Sequence, residues 1–283
     1  MTQNRKAIFY AILAAALYAV NAPVSKLLLA EIPSAVLAGL LYLGAGAGML
    51  ILEKLHTRTN ELPLTRKELP YTVAMIVLDI AAPVFLMIGL TMCSAANASL
   101  LNNFEIVATS LIALLIFRES ISKKLWLAIV LVTLSSILLS FEDMSSLSFS
   151  KGSILVLLSC VCWGFENNCT RMLSSKNPAQ IVVIKGLGSG AGALILALAL
   201  GERLPGLVPI VLALLLGFVA YGLSIYFYIL AQRNLGAAKT STYYAVSPFI
   251  GAGLSLVLFA ESPSPVFMIA LFIMAAGAYL ASA

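Results

Sequence analysis

The chain is a succession of long apolar segments separated by short polar or Pro-containing turns. An α-helix needs about 20 mainly apolar residues to cross the ~30 Å hydrocarbon layer of a bilayer, and segments of that length occur ten times. The ten predicted spans are residues 7–30, 33–53, 70–91, 95–117, 123–141, 152–174, 178–200, 207–231, 237–259 and 264–282. The pattern therefore predicts an all-α, polytopic membrane protein that forms a single membrane domain over residues 1–283.

Composition excludes an ordinary soluble domain, because 61% of the residues are hydrophobic and only 10% are charged. Soluble domains carry about 25% charged residues. The net charge of +5 does not indicate a nucleic-acid partner, since Lys and Arg lie between the apolar segments and not along a basic helix. The four cysteines lie in apolar segments and the single histidine, His56, lies in a polar loop, so we predict neither a metal site nor a cofactor.

The positions of the basic residues predict the orientation. With the N-terminus in the cytoplasm, most of them fall at the inner side: Arg5, Lys6, Lys54, Arg58, Arg66, Lys67, Arg118, Lys123, Lys124, Arg171, Lys176, Arg233 and Lys239. The others are Lys26, Lys151, Lys185 and Arg203. This asymmetry follows the positive-inside rule. An even number of spans places both termini in the cytoplasm, and we expect a multi-pass protein of the cytoplasmic membrane.

The sequence contains an internal repeat. A shift of 145 places residues 17–21 on residues 162–166 and Pro33 on Pro178, and a shift of 142 places residues 117–120 on residues 259–262. The predicted repeats are residues 7–144 and 152–283. Because each contains five helices, an odd number, the second copy enters the membrane inverted, which is typical of alternating-access transporters with a site near the midplane. A duplication that only made a stable bundle is the alternative.

Several local features recur in one known family. They are the step Trp163-Gly164, a basic residue seven positions after Pro178, Ser247-Pro248 at a span midpoint, and two small-residue segments that end in Glu, residues 95–119 and 237–261. With these features the chain resembles the drug/metabolite transporter superfamily in its EamA branch. The resemblance implies a ten-helix transporter with a central cavity lined mainly by spans one, three, four, six, eight and nine.

The chain also departs from the family pattern. Leu40 lies where the family often has a basic residue, Ile106 where it often has Pro, and Asn21 at the position that matches Glu166. The family carries amino acids, amines, nucleosides and drugs, so the resemblance leaves the substrate open.

Four ionisable residues lie well inside predicted spans: Asp79, Glu105, Glu166 and Lys185. A charged group facing lipid costs at least ~2.5 kcal/mol, so each should face a cavity or a partner. Span four carries a polar stripe at helical spacing, and span nine carries a matching one. The two stripes are Ser99, Asn102, Glu105 and Thr109, and Ser241, Tyr244, Ser247 and Gly251.

These polar and aromatic residues form the predicted substrate site. Its members are Glu166, Glu105, Asn102, Asn21, Tyr18, Trp163, Tyr221, Tyr244 and Asp79. Carboxylates outnumber Lys185, and aromatic faces attract cations, so we expect an amine or ammonium substrate recognised by Glu166 with help from Glu105 or Asp79. A carboxylate removed from water holds its proton more tightly, which makes the same three carboxylates candidates for proton coupling.

Alternatives remain open for individual residues. An amino acid is equally compatible, with Lys185 or the pair Asn102 and Asn103 meeting its carboxylate. Glu105 and Asp79 could be structural anchors, and Lys185 could snorkel to the interface or pair with a carboxylate.

We expect a secondary transporter for a small polar metabolite and no catalytic residues. No nucleotide-binding motif supplies ATP chemistry. A channel, a facilitative uniporter or a receptor-like binding module is the second class, and a membrane enzyme the third. A monomer suffices because both halves lie in one chain, although the glycine-rich spans two and seven are equally suited to a homodimer.

Overall fold

The computed structural model describes residues 3–55, 61–118, 122–143 and 148–282 and is almost entirely helical. His56 lies outside these residues, and so does the side chain of Ser241. The first half contains helices α1 (Gln3–Ala19), α2 (Asn21–Leu28), α3 (Ser34–Leu55), α4 (Leu69–Met92), α5 (Ala95–Leu101), α6 (Phe104–Leu115) and α7 (Lys123–Ser140). The second half contains α8 (Lys151–Leu173), α9 (Pro178–Ala199), α10 (Leu207–Gly217), α11 (Ser224–Tyr244), α12 (Ser247–Leu258) and α13 (Pro265–Ser282). Gly236 has a non-helical φ of 78°, so α11 consists of two helical parts that meet at a kink.

Three shorter elements complete the fold. A 3₁₀ turn, Arg66–Glu68, precedes α4, and a π-helical segment, Phe218–Leu223, joins α10 to α11. Two short antiparallel strands, β1 (Phe141–Asp143) and β2 (Ser148–Phe149), connect the halves and are the exception to the all-α prediction.

Seven helices in the described part of the chain are long and apolar enough to cross a membrane. They are Asn4–Leu28, Ser34–Leu55, Arg66–Met92, Ala95–Leu115, Lys123–Ser140, Pro178–Ala199 and Leu207–Gly236. The helices Ser247–Leu258 and Pro265–Leu280 are apolar but shorter. Helix α8 has 23 residues but carries the polar run Glu166-Asn167-Asn168. The protein is therefore a multi-pass membrane protein, and the count of ten spans stays a prediction.

Two predicted spans are broken near their centres. Span four divides into α5 and α6 at Asn102-Asn103, and span nine divides between α11 and α12 at Ala245-Val246. Asparagine side chains compete with helical backbone hydrogen bonds, and Pro248 lies in the first turn of α12, where its missing N–H costs nothing. Each predicted span thus contains a two-residue turn, although Ala95–Leu115 is still long and apolar enough to cross the membrane. At both breaks, polar residues lie in the middle of an otherwise apolar segment.

The spans also end alike. Arg118 after α6 and Ala260 after α12 have left-handed φ angles of 56° and 49°, and they lie 142 residues apart. This is the shift that aligns the two sequence segments. A left-handed residue after the last turn is a common way to end a helix.

The principal helix contacts join the first half of the chain to the second. Helix α3 packs on α9, α4 on α8, α1 on α11, α7 on α13 and α5 on α12. The apolar core therefore lies mainly between the halves, and polar groups from both halves meet at the same interface.

Glycines allow α3 and α9 to approach closely. A Cβ added at Gly186 would lie 2.3 Å from the backbone nitrogen of Gly46, and one added at Gly190 would lie 2.7 Å from the backbone nitrogen of Leu43. No side chain fits such gaps. The glycines that suggested a dimer contact thus pack against each other within the chain.

Candidate functional site

A cavity with about 50 Å³ of space open to water-sized molecules lies between the two halves. Its walls come from α1, α3, α6, α8, α9, the π-helical segment and α11. The lining residues are Tyr18, Tyr42, Glu105, Trp163, Glu166, Asn167, Thr170, Lys185, Tyr221, Ile225, Tyr228 and Tyr244. The lining combines two carboxylates and one ammonium with six aromatic rings.

A buried ion cluster forms one wall. The Nζ atom of Lys185 lies 2.8 Å from Glu166 Oε1 and 3.0 Å from Asp79 Oδ2, and all three side chains are almost completely buried. The Tyr42 hydroxyl donates to Asp79 Oδ1 at 2.7 Å, and the Thr170 hydroxyl donates to Glu166. A buried charge is tolerated only when it is paired and hydrogen-bonded. Of the alternatives for Lys185, the structure shows pairing and not snorkelling.

Glu105 lies in a different environment. Its Oε1 accepts a hydrogen bond of 2.6 Å from Asn167 Nδ2, which is also 3.4 Å from Thr109 Oγ1. In the described part of the chain, no basic side chain lies within ion-pair distance of Glu105. Its carboxylate is therefore open to an external cation, whereas that of Glu166 already holds Lys185.

Aromatic rings surround this carboxylate side of the cavity. The ring of Tyr18 lies 5.6 Å from that of Tyr221, 5.8 Å from that of Tyr244 and 6.2 Å from that of Trp163. Tyr228 lies 5.0 Å from Tyr244, centroid to centroid. These rings offer faces to a cation and bury much of the surface of a small ligand.

Asn21 lies behind the cavity wall. Its Nδ2 donates to the Tyr221 hydroxyl at 2.9 Å, and its Oδ1 accepts from the Ser25 hydroxyl at 3.0 Å. The side chain is completely buried. Asn21 therefore positions Tyr221 and does not line the cavity.

Two smaller cavities adjoin the main one. The first, with about 20 Å³ open to water-sized molecules, is lined by Tyr18, Asn102, Asn103, Glu105, Ile106, Tyr244, Ala245 and Pro248. The second, with about 10 Å³, is lined by Tyr18, Ala19, Ala22, Ser99, Asn102, Ser247, Pro248 and Gly251. Both lie at the helix breaks, and Glu105 lines the first of them as well as the main cavity.

The predicted site residues separate into three groups. Six line the main cavity: Tyr18, Glu105, Trp163, Glu166, Tyr221 and Tyr244. Asn102 lines the adjoining cavities, while Asp79 and Asn21 lie behind the wall and contact residues that line it.

Sequence reasoning left several lining residues out of the site. The predicted substrate site does not include Tyr42, Asn167, Thr170 or Tyr228, and Lys185 entered the prediction as a snorkelling or paired group or as a contact for an amino-acid carboxylate. The resemblance implied a cavity lined mainly by spans one, three, four, six, eight and nine. In the structure, spans two and seven also reach the cavity, through Tyr42 and Lys185. Span three reaches it only through Asp79, behind Lys185. The Glu166-Asn167 pair and the single tyrosine in a glycine-rich span were the available signals.

The sequence profile of the EamA-like transporter family matches residues 5–141 and 150–283, nearly the whole chain. The chain belongs to the EamA-like transporter family. This confirms the resemblance to the drug/metabolite transporter superfamily noted from the sequence. It identifies the protein as a multi-pass membrane transporter, and the family is one of transporters, not of enzymes.

Two curated relatives carry the same general description. An "Uncharacterized transporter" of Methanothermobacter thermautotrophicus is 29% identical over 191 residues, which are 64% of this chain and 55% of that protein. The chain thus matches about half the length of that relative. The "Uncharacterized transporter YyaM" of Bacillus subtilis is 23% identical over 80% of this chain and 76% of that protein.

The fold has a counterpart among solved structures. One crystal structure aligns with a TM-score of 0.74 at 17% identity, and the alignment covers 98% of this chain and 95% of that chain. At this identity the likeness shows the fold alone. The EamA-like chain therefore shares its helical architecture with an experimentally determined protein over almost its full length.

Proposed function

We propose that this EamA-like protein is a secondary transporter that moves a small amine or ammonium compound across the cytoplasmic membrane by alternating access, in exchange for protons. The proposal rests on which carboxylates have a basic partner and which do not. Glu166 and Asp79 share Lys185, whereas Glu105 faces the same cavity among aromatic rings without a basic partner in the described residues.

The helix contacts support an architecture of ten spans in two inverted halves. When each helix is replaced by its counterpart, the contact of α4 with α8 becomes that of α11 with α1, while the pairs α3 with α9 and α7 with α13 are unchanged. Two related halves packed about a two-fold axis produce such a set. The separate family matches to residues 5–141 and 150–283 agree with a duplication. With both termini in the cytoplasm, the basic residues follow the positive-inside rule.

The charge balance favours a cationic substrate. If Asp79, Glu105 and Glu166 are all ionised, Lys185 neutralises one of three negative charges. A small ammonium group beside Glu105 would remove part of the excess, and the faces of Tyr18, Tyr244 and Trp163 would add cation–π attraction. When no substrate is bound, a proton on Glu105 would remove the same negative charge. Substrate and proton therefore bind in turn, which is the physical basis for exchange.

Lys185 has a second consequence for the mechanism. Its ammonium group occupies Glu166 in this structure, so a substrate that engages Glu166 must compete with it. The neighbouring Asp79 can then retain the lysine alone at 3.0 Å. The substrate therefore exchanges with an internal cation at Glu166, and Glu105 offers the first point of attachment.

The test is counterflow exchange in liposomes containing the purified protein. Candidate amines, quaternary ammonium compounds, amino acids and nucleosides are first screened by thermal stabilisation, and the best ligand is then radiolabelled. A hydrogen bond to a charged group contributes ~1.5–3 kcal/mol, so Glu105→Gln and Glu166→Gln, which remove the carboxylate's charge, should each lower exchange at least about tenfold.

A matched control is Glu261→Gln, since Glu261 lies exposed after the end of α12. It should exchange substrate at the wild-type rate. Wild-type exchange by the Glu105→Gln variant, or stabilisation by uncharged compounds only, would show that the cavity does not recognise a cation.

A further inference from the structure

The two helix breaks enclose a buried polar region that the proposed substrate site does not use. We call it the seam and define it by Ser99, Asn102, Asn103 and Ser247. All four residues are at least nine-tenths buried, and they line the two smaller cavities. The seam lies between α5 and α12, which pack against each other.

Polar atoms in the seam lack hydrogen-bond partners. Among the described residues, no partner lies within reach of Ser99 Oγ, Ser247 Oγ, or either amide atom of Asn103. Asn103 is 1% exposed, so bulk solvent does not reach it. An unsatisfied buried polar group is expensive, and native proteins meet such groups with ordered water wherever a polar cavity has room. Each of these side chains lines a cavity.

The seam lies next to Glu105. This carboxylate lines the main cavity and the first small cavity, and Asn102 and Pro248 line both small cavities, so the three spaces follow one another. Ser99 lies on α5, one turn from the start of that helix at Ala95, and Glu105 lies in the first turn of α6. The polar path therefore runs from Glu105 along α5 towards the start of that helix.

We propose that the seam binds a short file of water molecules, held by Ser99, Asn103 and Ser247, and that this file carries protons between Glu105 and the membrane face at which α5 begins. The transfer is a relay in which each water passes a proton to its neighbour and the last proton binds to or leaves a carboxylate oxygen of Glu105. Asn103 holds water and transfers no proton itself. The proton function depends on the proposed exchange, whereas the hydration does not.

Other titratable groups lie close enough to Glu105 to interact with it electrostatically. They are Glu166 and Lys185 across the main cavity, and Tyr18, Tyr221, Tyr244 and Cys160 around it. Lys185 already has two carboxylate partners. Glu105 is therefore the carboxylate that meets both the substrate cavity and the seam.

Hydration is tested by cysteine labelling. Ser99→Cys and Ser247→Cys should react with 2-aminoethyl methanethiosulfonate, because only a hydrated thiol ionises and reacts. Ser255→Cys is the matched control, since Ser255 is equally buried on α12 and its hydroxyl donates to Gly251 O at 2.7 Å. Mass spectrometry separates these sites from the four native cysteines. Equal labelling at positions 247 and 255, or none at 99 and 247, would show that the seam is dry.

Proton transfer is tested by comparing two transport modes. Asn103→Leu and Ser247→Ala should lower uptake driven by a pH gradient about tenfold or more, as expected when a proton-transfer step is removed. Counterflow at equal pH should stay within about twofold of the wild type, as for a substitution that touches no substrate. Ser255→Ala should change neither mode.

Two results would overturn the proposal. They are unchanged gradient-driven uptake and an equal loss in both modes. If the wild type shows no counterflow with any amine, the proposed function fails, while the labelling contrast still decides whether the seam holds water.

Discussion

The two halves of the chain form the same contact with different chemistry. Position 21 in the first half matches Glu166, and Tyr221 in the second half matches Asp79. Asn21 bonds directly to Tyr221 at 2.9 Å, a neutral amide–phenol pair. At the equivalent place, Glu166 and Asp79 do not touch but are joined through Lys185. The position that matches Lys185 is Leu40, which is buried and apolar.

The same difference holds for the four acidic and basic residues in and behind the cavity wall. Each ionisable residue is matched by an uncharged one, and the matched pairs are Asn21 and Glu166, Asp79 and Tyr221, Glu105 and Ser247, and Leu40 and Lys185. The helices pair alike while the charges do not. The first half contributes Asp79 and Glu105 to this region and the second half contributes Glu166 and Lys185, so the excess of acidic groups comes from the first half.

The largest effect is expected for Lys185→Leu, which imitates the first half. It leaves Asp79 and Glu166 as two buried carboxylates without a cation. Breaking a buried ion pair costs about 3–5 kcal/mol, so the free energy of unfolding in mixed micelles should fall by that amount. Adding Asp79→Asn and Glu166→Gln to the same variant should restore most of the loss, because the neutral set resembles Asn21 and Tyr221. A triple variant no more stable than the single one would show that the comparison fails.

A smaller effect on stability, together with the loss of exchange by at least about tenfold, is expected for Glu166→Gln. Lys185 keeps Asp79 at 3.0 Å, and the Thr170 hydroxyl still has an amide oxygen to bond. The unfolding free energy should fall by about 1–3 kcal/mol, the usual cost of a lost charged hydrogen bond. Unfolding in micelles and counterflow in liposomes are measured on one preparation. A folded variant with normal exchange would remove Glu166 from the substrate site.

Asn21→Leu tests the neutral counterpart. It removes the hydrogen bonds to Tyr221 and Ser25 but no charge. We expect a loss of about 1–2 kcal/mol in unfolding free energy, in the range for a buried neutral hydrogen bond. Because Tyr221 loses its anchor, the substrate KM should rise, whereas the ratio of rates for charged and uncharged substrates should be unchanged. A change in that ratio would mean that Asn21 contributes to charge selection.

The smallest effect is expected at the ends of the spans. Arg233 is matched by Thr91 in the first half, and it binds Glu61 at 2.9 Å in a half-exposed ion pair. Exposed pairs contribute about 0–1 kcal/mol. Glu61→Gln should therefore change the unfolding free energy by less than about 1 kcal/mol, because Arg233 still donates to the carbonyls of Ser174 and Lys176. A loss as large as that of Lys185→Leu would show that this end contact, and not the buried cluster, holds the halves together.

Much of the fold was predictable because lipid imposes a simple rule. A segment of about 20 apolar residues can satisfy its backbone only as a helix, so the predicted spans and the observed helices begin and end at similar residues. The breaks at Asn102-Asn103 and Ala245-Val246 escaped prediction, since two asparagines in an apolar run also occur in intact helices. The choice between helix and break depends on what surrounds these residues. Pro248 was the clearer of the two signals.

The types of residue around the cavity could be predicted, but the contacts between them could not. An intramembrane carboxylate must face a partner or a cavity, and this argument identified Glu105, Glu166 and Asp79. It could not assign Lys185 to Glu166 and Asp79, because the three residues lie on different helices far apart in sequence. It also could not place Asn21 behind Tyr221 or Tyr42 in the wall.

By itself, the sequence determined that the chain is a membrane protein of the EamA-like family and that its ionisable residues at bilayer depth need partners or water. Apolar length and charge placement are local properties, and a bilayer selects for them directly. Only the tertiary structure decided which carboxylate is neutralised by Lys185 and which faces the cavity. Ion pairing depends on distances of about 3 Å between helices, and helix packing alone sets those distances.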